Sequence, residues 1–242
     1  MQSVVQVRKV VPVVAVPARG PGDAVAGMAT LGERSSTSEQ AAGALRRHIT
    51  EGLLRPGAQL REEAVAAALG ISRNTVREAF RALSREGLVE HTLHRGVFVR
   101  RISAADVADI YRTRRLLEPL GLRAVAADPA HHDALIRNVA TAQTAAEAGE
   151  WAAVGTADIA FHRILVDACG SDRVNRWFDH LFAELRLAFA AIDDPRTLHE
   201  PYVGRNGRLV ELVAAGRVED ACAELDAYLR DAEQQILAAL AP

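Results

Sequence analysis

The chain of 242 residues is 49% hydrophobic and 25% charged, which suffices for one large or two small domains with a packed core. Its formal net charge is −2, yet residues 40–101 carry 11 Arg against 6 Asp and Glu, and residues 102–242 carry 14 Arg against 22. A basic segment joined to an acidic one indicates a polyanionic partner for the first segment. No stretch approaches the roughly 20 apolar residues of a membrane span, so we expect a cytoplasmic protein without membrane contact.

Residues 1–37 combine Val, Pro, Gly, Ser and Thr without a sustained hydrophobic period. Such a segment lacks the regular apolar positions from which a core is built. We therefore expect a disordered or weakly ordered N-terminal arm.

Residues 38–101 are predicted to form a small domain that begins with two helices. Leu45, Ile49 and Leu53 recur at helical spacing, and the "RPG" at 55–57 ends that helix. The segment "REEAVAAALG" predicts a short second helix that stops at Gly70, since glycine tolerates the left-handed conformation of a tight turn.

A third helix and a hairpin complete this domain. Ser72 is a favourable N-cap for a helix that runs to about Arg85. The segment "GLVEHTLHRGVFVRR" then predicts two short strands around a turn, with Val97 and Val99 alternating about Phe98. Two helices joined by a tight turn and followed by a two-stranded wing predict a winged helix-turn-helix domain.

Residues 102–242 are predicted to form an all-α antiparallel bundle, so that the whole protein is mainly α. Ser103 and Asp106 form a capping box pattern at its start. The segment "VNRWFDHLFAELRLAFAAI" is apolar nearly all round, which predicts either the central helix of the bundle or part of a dimer face. The predicted helices span about 104–127, 131–148, 150–169, 172–192, 197–215 and 217–240.

The third helix has the chemistry of a DNA-recognition helix. Arg73 and Arg77 are four residues apart and share a helix face, and the planar guanidinium of arginine matches the O6 and N7 acceptors of guanine. Arg46 and Arg47 of the first helix are predicted to contact phosphates. The residues predicted to contact DNA directly are Ser72, Arg73, Asn74, Thr75 and Arg77 of the helix, and His94, Arg95 and Gly96 of the wing.

A second cluster starts from Asp158 and His162, which project together because they are four residues apart on a helical pattern. A carboxylate and an imidazole are half of a divalent metal site. The competing hypothesis for function, a helical metal-dependent hydrolase, would be built on this pair. No nucleophile elbow, glycine-rich phosphate loop or paired catalytic carboxylate motif supports it.

The residues "LRRHITEGLLRPGAQLREEAVAAALGISRNTVREAFRALSREGLVEHTLHRGVFVRRIS" resemble the winged-helix domain of the GntR family of bacterial transcription regulators. The segment "DIYRTRRLLEP" and the helices after it resemble the FCD effector-binding domain of the FadR-like subgroup. This resemblance implies a homodimer that binds a palindromic operator, most often as a repressor. It also implies that a small organic acid bound in the helical domain changes the affinity for DNA.

The resemblance further implies an effector pocket that contains Arg114, Asp158, His162, Asn206 and Tyr228. The subgroup usually completes a metal site with two more histidines, at positions where this chain has Asn206 and Tyr228. Two alternatives therefore stay open: weak binding of zinc or a similar divalent metal by Asp158 and His162, or a pocket without metal whose side chains bind the effector directly. We favour the second, with Arg114 binding a carboxylate and Glu118 supporting Arg114. The adjacent Arg115 is a competitor for the role of Arg114. His199 is a further candidate ligand, although it begins its helix seven residues before Asn206.

Overall fold

The structure is a computed structural model, and it describes residues 36–50, 52–190, 192 and 194–240. The predicted arm, residues 1–37, lies outside the described residues apart from Ser36 and Thr37. The rest of the chain forms a mainly α protein with a small sheet, in which a winged helix-turn-helix precedes a helical bundle. The predicted fold class is confirmed.

The N-terminal domain contains three helices and three strands within the described residues. The helices are α1 (Thr37–Thr50), α2 (Glu62–Leu69) and α3 (Arg73–Arg85), and the strands are β1 (Gln59–Leu60), β2 (Val89–Thr92) and β3 (Gly96–Val99).

The sheet has the strand order β1-β3-β2, and both strand pairs are antiparallel. Strands β2 and β3 are the predicted wing, and Val97 and Val99 are buried while Phe98 is partly exposed, as the alternation predicted. Strand β1 pairs Gln59 with Phe98 and was not predicted, because two residues are too short to show a period.

Local interactions set the angle between α2 and α3. Gly70 closes α2 in the left-handed conformation (φ 65°), where a residue with a Cβ is strained. The hydroxyl of Ser72 accepts a hydrogen bond from the backbone N–H of Thr75 at 3.1 Å, which caps α3 as predicted. Val76 and Phe80 on the inner face of α3 are buried, and the opposite face is exposed to solvent.

The C-terminal domain is a bundle of long helices joined by short connections. Capping interactions mark several starts: Ser103 and Asp106 form the predicted capping box, and Asp128 and Asp194 cap helices that open with proline. The helices are α4 (Ala104–Ala127), α5 (Pro129–Glu147), α6 (Trp151–Asp167), α7 (Asp172–Phe189), α8 (Pro195–Ala214) and α9 (Val218–Leu240).

For the segment that forms α7, the sequence predicted either the central helix of the bundle or part of a dimer face. Its apolar residues Phe178, Phe182 and Leu185 are buried within this chain, whereas Trp177 is half exposed. Helix α7 is therefore a packing helix of the bundle, and it also contacts α1 of the DNA-binding domain.

Two arginines tie the elements near the domain junction. Arg100, just after the wing, is bonded to Asp106 of α4 at 2.5 Å and to Glu184 of α7 at 2.7 Å. Arg46 of α1 donates two hydrogen bonds of 2.6 Å to Glu86 at the end of α3. These bonds join the wing to α4 and α7, and they join α1 to the end of the recognition helix.

Helices α4 and α6 make their closest approach at Gly121. A Cβ at this position would overlap the backbone carbonyl oxygen of Leu165. Because that obstacle is backbone, the helices would have to separate to admit a methyl group. The same two helices carry Arg114, Glu118, Asp158 and His162, so their spacing also sets the geometry of the predicted pocket.

We expect Gly121→Ala to lower the free energy of unfolding by about 1–3 kcal/mol, the usual cost of overpacking a core. Gly204→Ala is the matched control: Gly204 also lies inside a helix, but a Cβ there meets nothing within 4 Å. We expect this control to stabilise the protein by up to about 1 kcal/mol, because alanine is the better helix former. Urea denaturation measures both, and equal effects would contradict the close approach of α4 and α6.

Candidate nucleic-acid interface and buried polar pocket

The outer face of α3 presents its arginines to solvent. The side chains of Arg73 and Arg77 are 60% and 54% exposed, and they point toward carboxylates of α2. Arg73 pairs with Glu63 and Arg77 with Glu62, each at 2.9 Å. Exposed pairs of this kind contribute little to stability, so they orient the guanidinium groups without burying them.

The wing lies beside this face and has an unusual turn. Among the non-glycine residues that the structure describes, His94 has a positive φ (59°). Gly96, two residues later, has a φ of 103°. The carbonyl of Arg95 accepts a hydrogen bond of 2.8 Å from the Gln59 side chain, and its guanidinium lies 5.7 Å from the centre of the Phe98 ring. The strained turn therefore projects His94 and Arg95 from the end of the wing.

The two arginines of α1 that were predicted to meet phosphate differ in their contacts. Arg46 donates two hydrogen bonds to Glu86, which hold its side chain between α1 and α3. Arg47 is exposed on the same helix, and its phosphate contact stays a prediction.

The bundle encloses a charged cluster at its centre. Arg114 is 2% exposed and donates from Nε to Glu118 Oε1 at 2.6 Å, and Glu118 Oε2 accepts from His162 Nδ1 at 2.7 Å. Burial opposes the ionisation of Glu118, but Arg114 and His162 outweigh it, and the pKa of Glu118 lies below its usual value. Within the described residues, Arg114 Nη2 is buried without a hydrogen-bond partner.

Asp158 is the second anion of this cluster. Its Oδ1 accepts from the Tyr228 hydroxyl at 2.7 Å and from Asn206 Nδ2 at 3.0 Å. Burial raises the pKa of Asp158. The neighbouring His162 and His199 and the Tyr228 hydrogen bond together lower it by more, so the net shift is downward. The five residues predicted for the effector pocket are thus brought together by α4, α6, α8 and α9.

The donor set does not fit a transition metal. Asn206 and Tyr228 both donate to Asp158 Oδ1, so this oxygen is engaged in hydrogen bonds. His162 Nε2 lies 3.1 Å from the Tyr228 hydroxyl, within hydrogen-bonding distance. Asp158, His162 and the further candidate His199 are groups of the kind that zinc prefers. Across residues 36–50, 52–190, 192 and 194–240, no group of three or more His, Cys, Asp or Glu is placed to hold a metal ion.

Three residues that sequence reasoning did not assign to the pocket, or assigned only in passing, also line it. Tyr111, His199 and Tyr202 join Arg114, Asp158 and Tyr228 around a small void of about 10 Å³, here called the inner cavity. Tyr111 lies one turn before Arg114, and its ring centre is 4.8 Å from that guanidinium. The one-turn spacing was the available signal for Tyr111, whereas His199 reaches the pocket because α8 begins at Pro195, earlier than predicted.

A recognition helix with exposed arginines beside a wing, joined to a domain with a buried polar pocket, defines a helix-turn-helix transcriptional regulator. Across the residues that the structure describes, every helix is too short or too polar to cross a membrane.

Comparison with known sequences assigns the family. The profile described as bacterial regulatory proteins, gntR family, matches residues 37–99, and the FCD domain profile matches residues 109–231. The chain belongs to the gntR family of bacterial regulatory proteins and carries an FCD domain, and it is a transcriptional regulator. The predicted resemblance is confirmed.

Individual relatives agree with this assignment. A Paenarthrobacter nicotinovorans protein named "probable D-xylose utilization operon transcriptional repressor" is 32% identical over 177 residues, which cover 70% of this chain and 78% of that protein. A crystal structure of a Rhodococcus sp. RHA1 protein assigned as a GntR transcriptional regulator is 40% identical, with a TM-score of 0.78 and coverage of 84% of this chain and 99% of that one. The E. coli protein McbR/YncC shares the fold at 20% identity, with a TM-score of 0.69 and coverage of 86% and 98%.

The burial of His199 predicts a pH dependence of stability. Burial lowers the pKa of His199, Asp158 raises it and Arg186 lowers it, and the net shift is downward. In the unfolded chain this imidazole binds a proton near pH 6.5, whereas in the folded protein it stays neutral to a lower pH. The free energy of unfolding therefore falls as the pH drops below about 6.5. We expect His199→Gln to lose less stability than the wild type between about pH 7.5 and about pH 5, as measured by urea denaturation.

His131→Gln is the control of opposite sign. The hydrogen bond with Asp128 raises the pKa of His131, so this residue stabilises the protein at low pH, and that contribution is lost as the pH rises. Its removal should make the loss of stability on acidification larger. A His199→Gln variant that follows the wild-type curve would show that His199 is not buried as described.

Proposed function

We propose that this regulator is a ligand-responsive, sequence-specific DNA-binding protein that acts as a homodimeric repressor on a palindromic operator. A small carboxylate-bearing metabolite, bound in the FCD domain, changes its affinity for DNA. The observation that carries the proposal is the exposed arginine pair on α3, beside the wing and tied through Arg100 to the bundle that holds the pocket. A regulator of bacterial transcription works at the chromosome, in the cytoplasm.

DNA contact follows from the geometry of α3. The N-terminal turns of a recognition helix enter the major groove, and Arg73 and Arg77 lie in the first two turns of α3 on one face. A guanine edge offers a guanidinium two aligned acceptors, O6 and N7, which would replace its exposed carboxylate partner. Asn74 and Thr75 are next to these arginines, Ser72 is at the helix start, and His94, Arg95 and Gly96 would meet the backbone or minor groove.

The dimer follows from the size of the reading surface. One winged helix reads only a few base pairs, whereas two that are held at a fixed separation read half-sites about one helical turn apart. A ligand that alters the setting of the two reading domains would disfavour simultaneous docking. Loss of DNA affinity on ligand binding is the behaviour of an inducible repressor, and the name of the Paenarthrobacter relative supports repression.

The effector is inferred from groups in the pocket that lack a partner within the described residues. Arg114 Nη2 is a buried donor without an acceptor, and Asn206 Oδ1 is a buried acceptor without a donor. A carboxylate would satisfy the first and a hydroxyl the second, so a hydroxy acid suits both. Because Asp158, His162 and Tyr228 already satisfy one another, the effector would bind directly and without a metal.

The hydrolase alternative has weaker support. It needs a metal on Asp158 and His162, and both groups are engaged in hydrogen bonds to Tyr228. Turnover of a substrate by a metal-loaded preparation would favour it.

We expect Arg77→Ala to relax the base preference at one operator position by roughly 5- to 150-fold, the loss of one bidentate contact. Arg47→Ala should instead weaken binding to all sequences alike and reduce the salt slope by about 1. Gel-shift titration of operator and scrambled DNA at several salt concentrations measures both. The upstream intergenic DNA of the gene supplies the first operator candidates.

Arg85→Ala is a charge-matched control, because Arg85 lies at the far end of α3 from the predicted groove contacts. Equal effects of the Arg77, Arg47 and Arg85 substitutions would argue against base recognition by Arg77. A folded dimer that binds no DNA at low salt would exclude the proposed function.

We expect a small hydroxy acid to raise the melting temperature in a thermal-shift screen, and EDTA to leave that shift unchanged. D-xylose and simple carboxylates belong in the same screen. Ala232→Val should abolish the shift and leave DNA binding without ligand intact, because Ala232 lines the inner cavity and two added methyl groups fill it. A shift that EDTA removes would favour the metal-containing alternative.

A further inference from the structure

The inner cavity is too small for a metabolite as it stands. Its volume of about 10 Å³ admits little more than one water molecule. Pockets that bind small molecules usually enclose roughly 300–1,000 Å³. If the effector reaches Arg114, side chains around the inner cavity must move, and the question is which ones.

A larger cavity lies on the other side of one layer of side chains. This outer cavity of about 340 Å³ lies between the bundle and the DNA-binding domain. Phe189, Leu198 and His199 line both cavities. These three residues, at the end of α7 and the start of α8, therefore form the wall that separates the two spaces.

His199 is the member of this wall that can move at least cost. Its side chain makes no hydrogen bond within the described part of the chain, and its ring packs edge-on against Phe189 with centres 5.1 Å apart. It occupies space over Gly155, where a Cβ would overlap the imidazole Nε2. A neutral imidazole without partners gains hydrogen bonds to water when it swings out.

The opposite side of the outer cavity belongs to the DNA-binding domain. Thr50, Gly52 and Arg55 line it, and Arg186 of α7 adds a second cation. Thr50 is the last residue of α1, and α1 is joined to the end of α3 by the hydrogen bonds between Arg46 and Glu86. A ligand that fills the outer cavity would therefore touch an element that is fixed to the recognition helix.

We propose that the inner and outer cavities are two ends of one effector site, and that His199 is the gate between them. The ligand enters from the junction of the two domains, displaces His199, and places its carboxylate on Arg114. Its other end stays against Thr50 and Arg55, and the exposed guanidinium of Arg55 makes that end polar or acidic. This inference rests on the proposed function, and it adds the access route, the gate and the contact with the DNA-binding domain.

The arrangement explains how binding could change DNA affinity. A ligand shifts a conformational equilibrium only by interacting differently with its two states. A molecule confined to the bundle would have to act through the packing of α7. A molecule that spans both cavities contacts the DNA-binding domain itself. A conformation in which α1 has moved away from those contacts therefore binds the molecule more weakly.

Thiol labelling tests the gate without ligand or DNA. Ala232 lines the inner cavity on α9, so Ala232→Cys places a thiol behind the wall. Cys222, buried on the same helix, is the internal control, and Cys169 is replaced by serine. The protein is treated with methyl methanethiosulfonate, and the labelling of residues 232 and 222 is followed by peptide mass spectrometry, with and without His199→Ala.

We expect His199→Ala to speed labelling at residue 232 by about 10-fold or more relative to Cys222, because the wall then opens without local unfolding. Leu212→Ala is the matched control: Leu212 is also buried on α8, and it lines neither cavity. It should leave the ratio of the two rates unchanged. An unchanged ratio in His199→Ala, or an equal rise in Leu212→Ala, would overturn the proposal.

A second readout tests the contact with the DNA-binding domain. With the acid identified by the thermal-shift screen as probe, Arg55→Ala should weaken its binding several-fold, whereas Arg61→Ala, on the same domain but away from the cavity, should not. Equal affinities in wild type and Arg55→Ala would contradict a site that spans both domains. Failure of the proposed function has a different signature, since DNA binding would then ignore every compound while the labelling result stood unaffected.

Discussion

The bundle is organised around a guanidinium that has been taken out of water. Arg114 and Glu118 are one turn apart on α4, and both side chains are almost completely buried. Removing two charges from solvent is costly, and the attraction between them offsets that cost only when further hydrogen bonds satisfy the remaining atoms. His162 supplies one of those bonds to Glu118. One of the two remaining guanidinium nitrogens, Nη2, is buried without a partner in the described chain, so the centre of the domain lacks an acceptor.

The polar cluster around Asp158 is held together by side chains from three helices. Tyr228 and Asn206 reach the carboxylate from α9 and α8 with hydrogen bonds. These bonds fix the orientation of Tyr228 and Asn206, while Asn206 Oδ1 stays buried without a partner in the described chain. Burial of Tyr228 and the adjacent Asp158 raise the pKa of its phenol well above the ordinary value, so it stays a donor at physiological pH.

Much of this fold could be predicted from the sequence, and the exceptions have physical causes. The helices were predicted to within a few residues because their caps, such as Ser72 and Ser103, and their glycine and proline stops are local signals. The strand β1 was missed because Gln59 and Leu60 gain their strand character from pairing with β3. Asp158 and His162 on α6 could be paired by spacing, and the resemblance placed Arg114 with them. The convergence of His199 and Tyr202 depends on how α8 crosses α6. No local pattern records that crossing.

The ion pairs between α2 and α3 have a consequence for DNA binding. Glu62 and Glu63 are tethered competitors for the same guanidinium groups that would meet DNA. A phosphate or a guanine edge would have to displace these carboxylates, which already offer two oxygens each. The release of Arg73 and Arg77 from α2 is therefore part of the free-energy cost of binding any DNA sequence.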